Sequence, residues 1–72
     1  MAAGVRAALV KRKPVWFGER AWDTAFYERE PLRPGARLWG PAVVVEYSAT
    51  TVVPPDWSCG VDEYANLVMQ RR

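Results

Sequence analysis

Proline and glycine interrupt this chain at short intervals, and this spacing limits its possible folds more than any other feature. All six prolines and four of the five glycines lie at or after position 14. The residues between them are mostly β-branched or aromatic, which favours strands, and proline does not fit inside a helix. After residue 14 we therefore expect no helix longer than two turns.

The segments between these breaks predict an all-β fold of about six short strands. These strands are expected among seven candidate segments, which are 15–17, 22–27, 37–39, 42–47, 50–53, 57–63 and 67–69. Short strands at this spacing are typical of a small barrel or sandwich. Residues 1–14 predict a basic linker or a short, weakly helical segment that Pro14 ends, and 15–72 predict one β-domain.

Strand alternation predicts which side chains form the core. Three consecutive valines at 43–45 indicate a strand buried on both faces. We expect Val44, Val45, Val52, Trp57 and Leu67 to contribute to the core. In the 22–27 strand, Trp22 and Phe26 point the same way, and that side is predicted to face the core.

The composition excludes several kinds of chemistry. The chain has no histidine and one cysteine, so it cannot build a Ser-His-Asp or Cys-His site, a structural zinc site or an internal disulfide. A single cysteine favours a reducing compartment, and we expect a cytoplasmic location. No apolar run approaches the roughly 18 residues of a membrane span, and the glycines match no nucleotide-binding loop.

Positive charge is concentrated at the beginning of the chain. Residues 1–18 contain Arg6, Lys11, Arg12 and Lys13 and no acid, a charge of +4, whereas the remaining six arginines and eight acids give −2. A basic start is typical of a solvated linker or a first strand, and also of nucleic-acid or membrane binding. Four tryptophans among ten basic residues could stack single-stranded nucleic acid, but eight acids largely cancel the charge and small β-domains use tryptophan to fill the core, so nucleic acid is not the expected partner.

Three stretches resemble a known family in order and spacing. They are VWFGERAWDTAFYERE (15–30), LRPGARLWGPAVVVEYSATTVVPPDW (32–57) and VDEYANLVM (61–69). Together they resemble the C-terminal domain of the hydantoinase A and 5-oxoprolinase family, which includes acetone and acetophenone carboxylase subunits. The chain departs from the family pattern at Asp56 and Ala65, where glycine is usual, and a positive φ at Ala65 would cost roughly 1 kcal/mol.

The resemblance implies a part of an ATP-dependent enzyme. The family's larger subunit couples ATP hydrolysis to opening a cyclic amide or carboxylating a ketone, through an actin-like nucleotide site that lies upstream of this domain. ATP and a divalent metal are therefore expected on a larger actin-like ATPase partner, and no catalytic, cofactor-binding or metal-binding residue is carried over to this chain. The alternative hypothesis is a freestanding β-barrel binding module, for which nucleic acid is one ligand.

A few residues could still serve a site. Glu28 and Glu30 are either paired acids or solvated charges in a proline-flanked loop, and Cys59 is either a reactive thiol or a small buried hydrophobe. Thr50 and Thr51 could contact a ligand, although β-propensity explains them equally. Trp39, beside the Gly40-Pro41 break, either fills the core or anchors a protein interface.

Overall fold

A computed structural model describes residues 4–72 as one short helix and seven strands. The elements are α1 (Val5–Ala8), β1 (Leu9–Phe17), β2 (Arg20–Glu28), β3 (Arg37–Trp39), β4 (Ala42–Glu46), β5 (Ala49–Val53), β6 (Trp57–Val61) and β7 (Leu67–Arg71). The all-β prediction is confirmed, and so is the short helix near the beginning. The first three residues of the predicted 1–14 segment lie outside the described residues.

The seven strands form two sheets. One sheet has the order β1-β2-β4-β5 and the other β3-β6-β7. β2 and β4 run parallel, and the other neighbouring strands described are antiparallel. The chain leaves the first sheet after β2, contributes β3 to the second, and returns as β4. Of the two predicted architectures, the structure is a sandwich rather than a closed barrel.

The core lies between the two sheets. The cluster comprises Ala8, Leu32, Ala36, Leu38, Ala42, Val44, Val53, Cys59 and Val61. Val44 is 1% exposed, and Trp57 and Leu67 are partly buried against the cluster. The core role predicted for these three residues is confirmed.

Two predicted core residues are exposed instead. Val45 and Val52 are 43% and 48% exposed, while Val43 is buried. All three lie on the outer face of the first sheet, which no second layer of residues 4–72 covers, and β5 is an edge strand. Val43 is flanked by Phe26 on β2, whereas Val45 is flanked by Glu28 and Thr50, which give it less cover.

Trp22 and Phe26 do share a face, but it is the outer one. Tyr27, which alternates with Phe26 along β2, packs against the core cluster. Side chains on the parity of Trp22 and Phe26 therefore point away from the second sheet. The prediction of a shared face is right, and the prediction that this face is the core is wrong.

The first strand begins six residues earlier than the sequence indicates. β1 starts at Leu9 and continues through Pro14 to Phe17, so it crosses the predicted boundary at residues 14 and 15. Proline lacks the N–H that a ladder requires, but β1 is an edge strand and one side of its backbone needs no partner. The location of the strand at the sheet edge explains why Pro14 does not end it.

Candidate interaction surface

The predicted interface residue Trp39 lies on the outer face of the β3-β6-β7 sheet. Alternation places Leu38 in the core and Arg37 and Trp39 outside. Trp39 is 54% exposed, so it does not fill the core. Trp39 is in register with Ser58 and Gln70, and Arg37 with Gly60 and Val68, so these four residues lie on the same face. We call this set of outward residues, together with Arg72, the Trp39 face.

Two arginines lie over the Trp39 ring. The guanidinium carbons of Arg37 and Arg72 are 5.8 and 5.4 Å from the ring centroid, within cation–π range. Arg72 also donates from Nη2 to the carbonyl oxygens of Pro55 (2.7 Å) and Gly40 (3.4 Å). These contacts restrict the Trp39 ring before any partner binds, which lowers the entropy cost of using it as an anchor.

A shallow hollow of about 190 Å³ lies beside Trp39. It is lined by Arg37, Gly60, Val61, Asp62, Val68 and Gln70. Gly60 has no side chain to fill it, and Arg37 Nη1 donates to Gln70 Oε1 at 3.4 Å. Val68 is 43% exposed at the rim. An exposed aromatic ring, a hollow and an apolar rim together resemble the anchor-and-pocket layout of protein interfaces.

Position 40 requires glycine because the backbone of Pro54 and Trp57 lies close to it. Gly40 is part of the Gly-Pro-Ala motif that resembles the family pattern. A Cβ at this position would lie 2.6 Å from the Pro54 carbonyl carbon and 2.9 Å from the Trp57 oxygen. The Gly40 N–H donates to that Trp57 oxygen at 2.8 Å. Gly40 therefore fastens the end of β3, and with it Trp39, against the β5–β6 connection.

The VDEYANL stretch is a loop organised by Asp62. Its Oδ1 accepts the backbone N–H groups of Tyr64 (2.9 Å) and Asn66 (2.8 Å). The Asn66 N–H is the main cause of the lowered pKa of this carboxyl, although Asp62 stays solvated. Ala65 has φ of 65°, so the positive φ considered for this position is present, and Arg29 Nη2 donates to its carbonyl. Asp56, the other departure, has no positive φ.

The remaining candidate residues lie in different environments. Cys59 is 1% exposed in the core cluster, and burial raises its pKa above the ordinary value while the Arg29 charge acts weakly in the opposite direction. Glu28 and Glu30 are exposed and border an open hollow of about 580 Å³ with Glu46. Thr50 is exposed and Thr51 half-buried on β5. Within residues 4–72 no three His, Cys, Asp or Glu side chains are placed to hold a metal ion, so these residues do not fit one.

Sequence reasoning missed the residues that surround Trp39. Alternation in a three-residue strand could place Arg37 on the same side as Trp39. It could not bring Arg72 there, because that contact depends on how the end of the chain crosses the β5–β6 connection. Four other aromatic or aliphatic side chains of the described chain are more exposed than Trp39, namely Val10, Trp16, Tyr47 and Tyr64. Among residues 4–72, no helix is long and apolar enough to cross a membrane.

Comparison with known proteins identifies the fold. A family model described as the hydantoinase/oxoprolinase C-terminal domain matches residues 3–71. The structure is similar to part of acetone carboxylase in its nucleotide-free form, with a TM-score of 0.91 and 27% identity, covering 99% of this chain and 10% of that one.

Two curated proteins are similar in sequence. Uncharacterized protein MJ0964 of Methanocaldococcus jannaschii is 46% identical over 59 residues, 82% of this chain and 9% of its own length. The acetophenone carboxylase gamma subunit of Aromatoleum aromaticum is 35% identical over 65 residues, 89% of this chain and 9% of its own. The chain thus spans about a tenth of the length of the proteins it matches.

Proposed function

Because this chain belongs to the hydantoinase/oxoprolinase C-terminal domain family, we propose that it is a non-catalytic part of an ATP-dependent hydantoinase, 5-oxoprolinase or ketone carboxylase assembly. The similarity to acetone carboxylase carries this proposal, because 99% of the chain corresponds to only 10% of that protein. A freestanding binding module is less well supported, since both curated relatives are far longer than this chain.

In this proposal the domain stabilises the assembly, and the larger actin-like ATPase subunit or upstream region catalyses the reaction. ATP and a divalent metal bind that larger part, which opens a cyclic amide or carboxylates a ketone in the cytoplasm. The residues of this chain supply a docking surface, with Trp39 as its anchor. A 72-residue domain buries only about 60% of the surface that its unfolded chain exposes, so contact with a neighbour adds stability.

The test uses the larger family chain from the same genome, produced without any stretch that corresponds to residues 3–71. Its ATP-dependent turnover is measured with hydantoin, 5-oxoproline, acetone and acetophenone, with and without the added 72-residue chain. We expect the 72-residue chain to bind the larger chain, to raise its melting temperature and to increase turnover, and to show no turnover alone. Full activity and unchanged stability of the larger chain without the domain would contradict the proposal.

The role of Trp39 is tested in the same binding assay. Trp39→Ala should weaken binding about 30-fold, the loss expected for an interface anchor worth about 2 kcal/mol. Trp16→Ala is the matched control, because Trp16 is 69% exposed but lies on β1, in the other sheet. Equal effects of the two substitutions would remove Trp39 from the interface while leaving the wider proposal in place.

A further inference from the structure

A second charged surface lies on the opposite side of the sandwich from the Trp39 face. The β1–β2 hairpin presents Lys11, Lys13 and Arg20 on its outer face, next to Trp22 and Phe26. The Lys11 and Lys13 Nζ atoms are 5.4 and 5.3 Å from the Phe26 ring centroid, and the Arg20 guanidinium carbon is 4.0 Å from that of Trp22. We call these five residues the lysine face.

The three consecutive basic residues of β1 are not equivalent. Arg12 points to the other side of the hairpin, where its Nε lies 2.9 Å from Asp23 Oδ2 in an ion pair. Within residues 4–72, no carboxylate forms an ion pair with Lys11 or Lys13. Alternation puts one acidic side chain, Glu28, on this outer face, next after Phe26 and beside Val45, and none between Lys11 and Phe17 or between Arg20 and Phe26.

The geometry of the lysine face favours binding of a negatively charged partner. Both lysine nitrogens lie over one half-buried aromatic ring, so these side chains have less rotamer freedom to lose on binding than free lysines do. Their like charges also repel each other, and on this face of the hairpin, in the described part of the chain, three cations stand against the single carboxylate of Glu28. An opposing carboxylate surface would offset it and would also cover Phe26 and the exposed Val52 beside Val43.

We propose that the lysine face docks an acidic protein surface of the same enzyme assembly. The occupant is identified by charge complementarity: clustered Asp and Glu side chains around an apolar patch that meets Phe26 and Trp22. This inference rests on the proposed function, because it takes the larger chain as the partner. The domain then contacts its assembly on both outer faces of the sandwich and is held between two parts of it.

The experiment measures the binding of the full 72-residue chain to the larger family chain described above, as Kd at increasing NaCl concentration. The test variant is K11Q/K13Q. R12Q is the matched control, because it removes the neighbouring positive charge from the other side of the hairpin. K11R/K13R keeps both positive charges, so it shows whether a loss of binding comes from the lost charge or from the changed side chains. Circular dichroism checks the fold of each variant.

We expect K11Q/K13Q to weaken binding about five- to tenfold, as for two exposed ion pairs. Its Kd should also depend less steeply on NaCl than that of the unmodified chain. R12Q and K11R/K13R should bind within about twofold of the unmodified chain.

Three results would overturn the inference, and they differ in what else they affect. Tight binding of the unmodified chain with no effect of K11Q/K13Q rejects the lysine face and leaves the proposed function standing. No binding of the unmodified chain to the larger chain rejects both. Binding to a single-stranded oligodeoxynucleotide that K11Q/K13Q abolishes, with protein binding unchanged, assigns the face to nucleic acid instead.

Discussion

Val44→Ala and Val45→Ala should differ strongly in stability, although the two valines are adjacent on β4. Val44 is 1% exposed in the core cluster, and Val45 is 43% exposed on the outer face. Removing two buried carbons at Val44 costs about 1.6 kcal/mol of transfer free energy. The cavity left between the sheets raises the loss to about 2–3 kcal/mol.

Val45→Ala should cost less than about 1 kcal/mol, because its side chain is already half in water and solvent fills the space left. Both substitutions lower β-propensity alike, so this contribution cancels in the comparison. A 72-residue domain has roughly 4–11 kcal/mol of total stability. Val44→Ala therefore removes a large fraction of it.

Urea denaturation followed by tryptophan fluorescence measures the difference. With a slope near 1 kcal/mol per M, Val44→Ala should move the midpoint down by about 2 M and Val45→Ala by less than about 1 M. Equal slopes for the three proteins are the control for an unchanged unfolded state. Equal midpoints for the two variants, or a larger shift for Val45→Ala, would show that the assignment of faces along β4 is wrong.

Four further predictions concern single residues. Gly40→Ala should lower the free energy of unfolding by more than about 3 kcal/mol, because its Cβ would collide with the backbone of Pro54; a melting temperature within about 2 °C of the unmodified chain would contradict this. Ala65→Gly should raise stability by about 1 kcal/mol, because φ is 65° there, and a thermal melt that falls would exclude it. The buried Cys59 thiol, whose pKa is raised by burial, should react with a thiol reagent far more slowly in the folded chain than in denaturant at the same pH. The pKa of Asp62 is lower in the folded chain, so the stability that its carboxylate contributes is present at neutral pH and is lost as the pH falls below the ordinary value of 3.8. Between about pH 6 and pH 3, the urea midpoint of Asp62→Asn should therefore fall less than that of the unmodified chain.

The parts of the fold that could be predicted are those that depend on local rules. Breaks at proline and glycine located most of the strands. A Pro-Gly pair such as Pro34-Gly35 is also typical of a turn, and the structure closes one there with Ala36 N–H donating to the Arg33 carbonyl. Strand alternation also grouped Trp22 with Phe26 correctly. These signals act over a few residues, so a single sequence contains them.

What could not be predicted depends on the location of each strand in its sheet. Alternation divides β2 into two faces, but only the location of the second sheet decides which face is the core, and so Phe26 lies outside. From the sequence alone, Pro14 predicts a boundary between the first segment and a strand. It fits inside β1 only because β1 is an edge strand. The same limit applies to the candidate surfaces, because Arg72, the second of the two arginines over the Trp39 ring, lies 33 residues later in the chain.

The two outer faces of the sandwich share a pattern of cations over aromatic rings, which the family match alone does not explain. The Trp39 face is built around an aromatic ring contacted by Arg37 and Arg72, and the lysine face around the Phe26 ring, which Lys11 and Lys13 overlie. Both combine cations with partly exposed aromatic rings. A domain whose core occupies only the space between two short sheets can expose both outer faces to neighbours. This arrangement suits a part held inside a larger enzyme, and it makes the two faces separable by mutation.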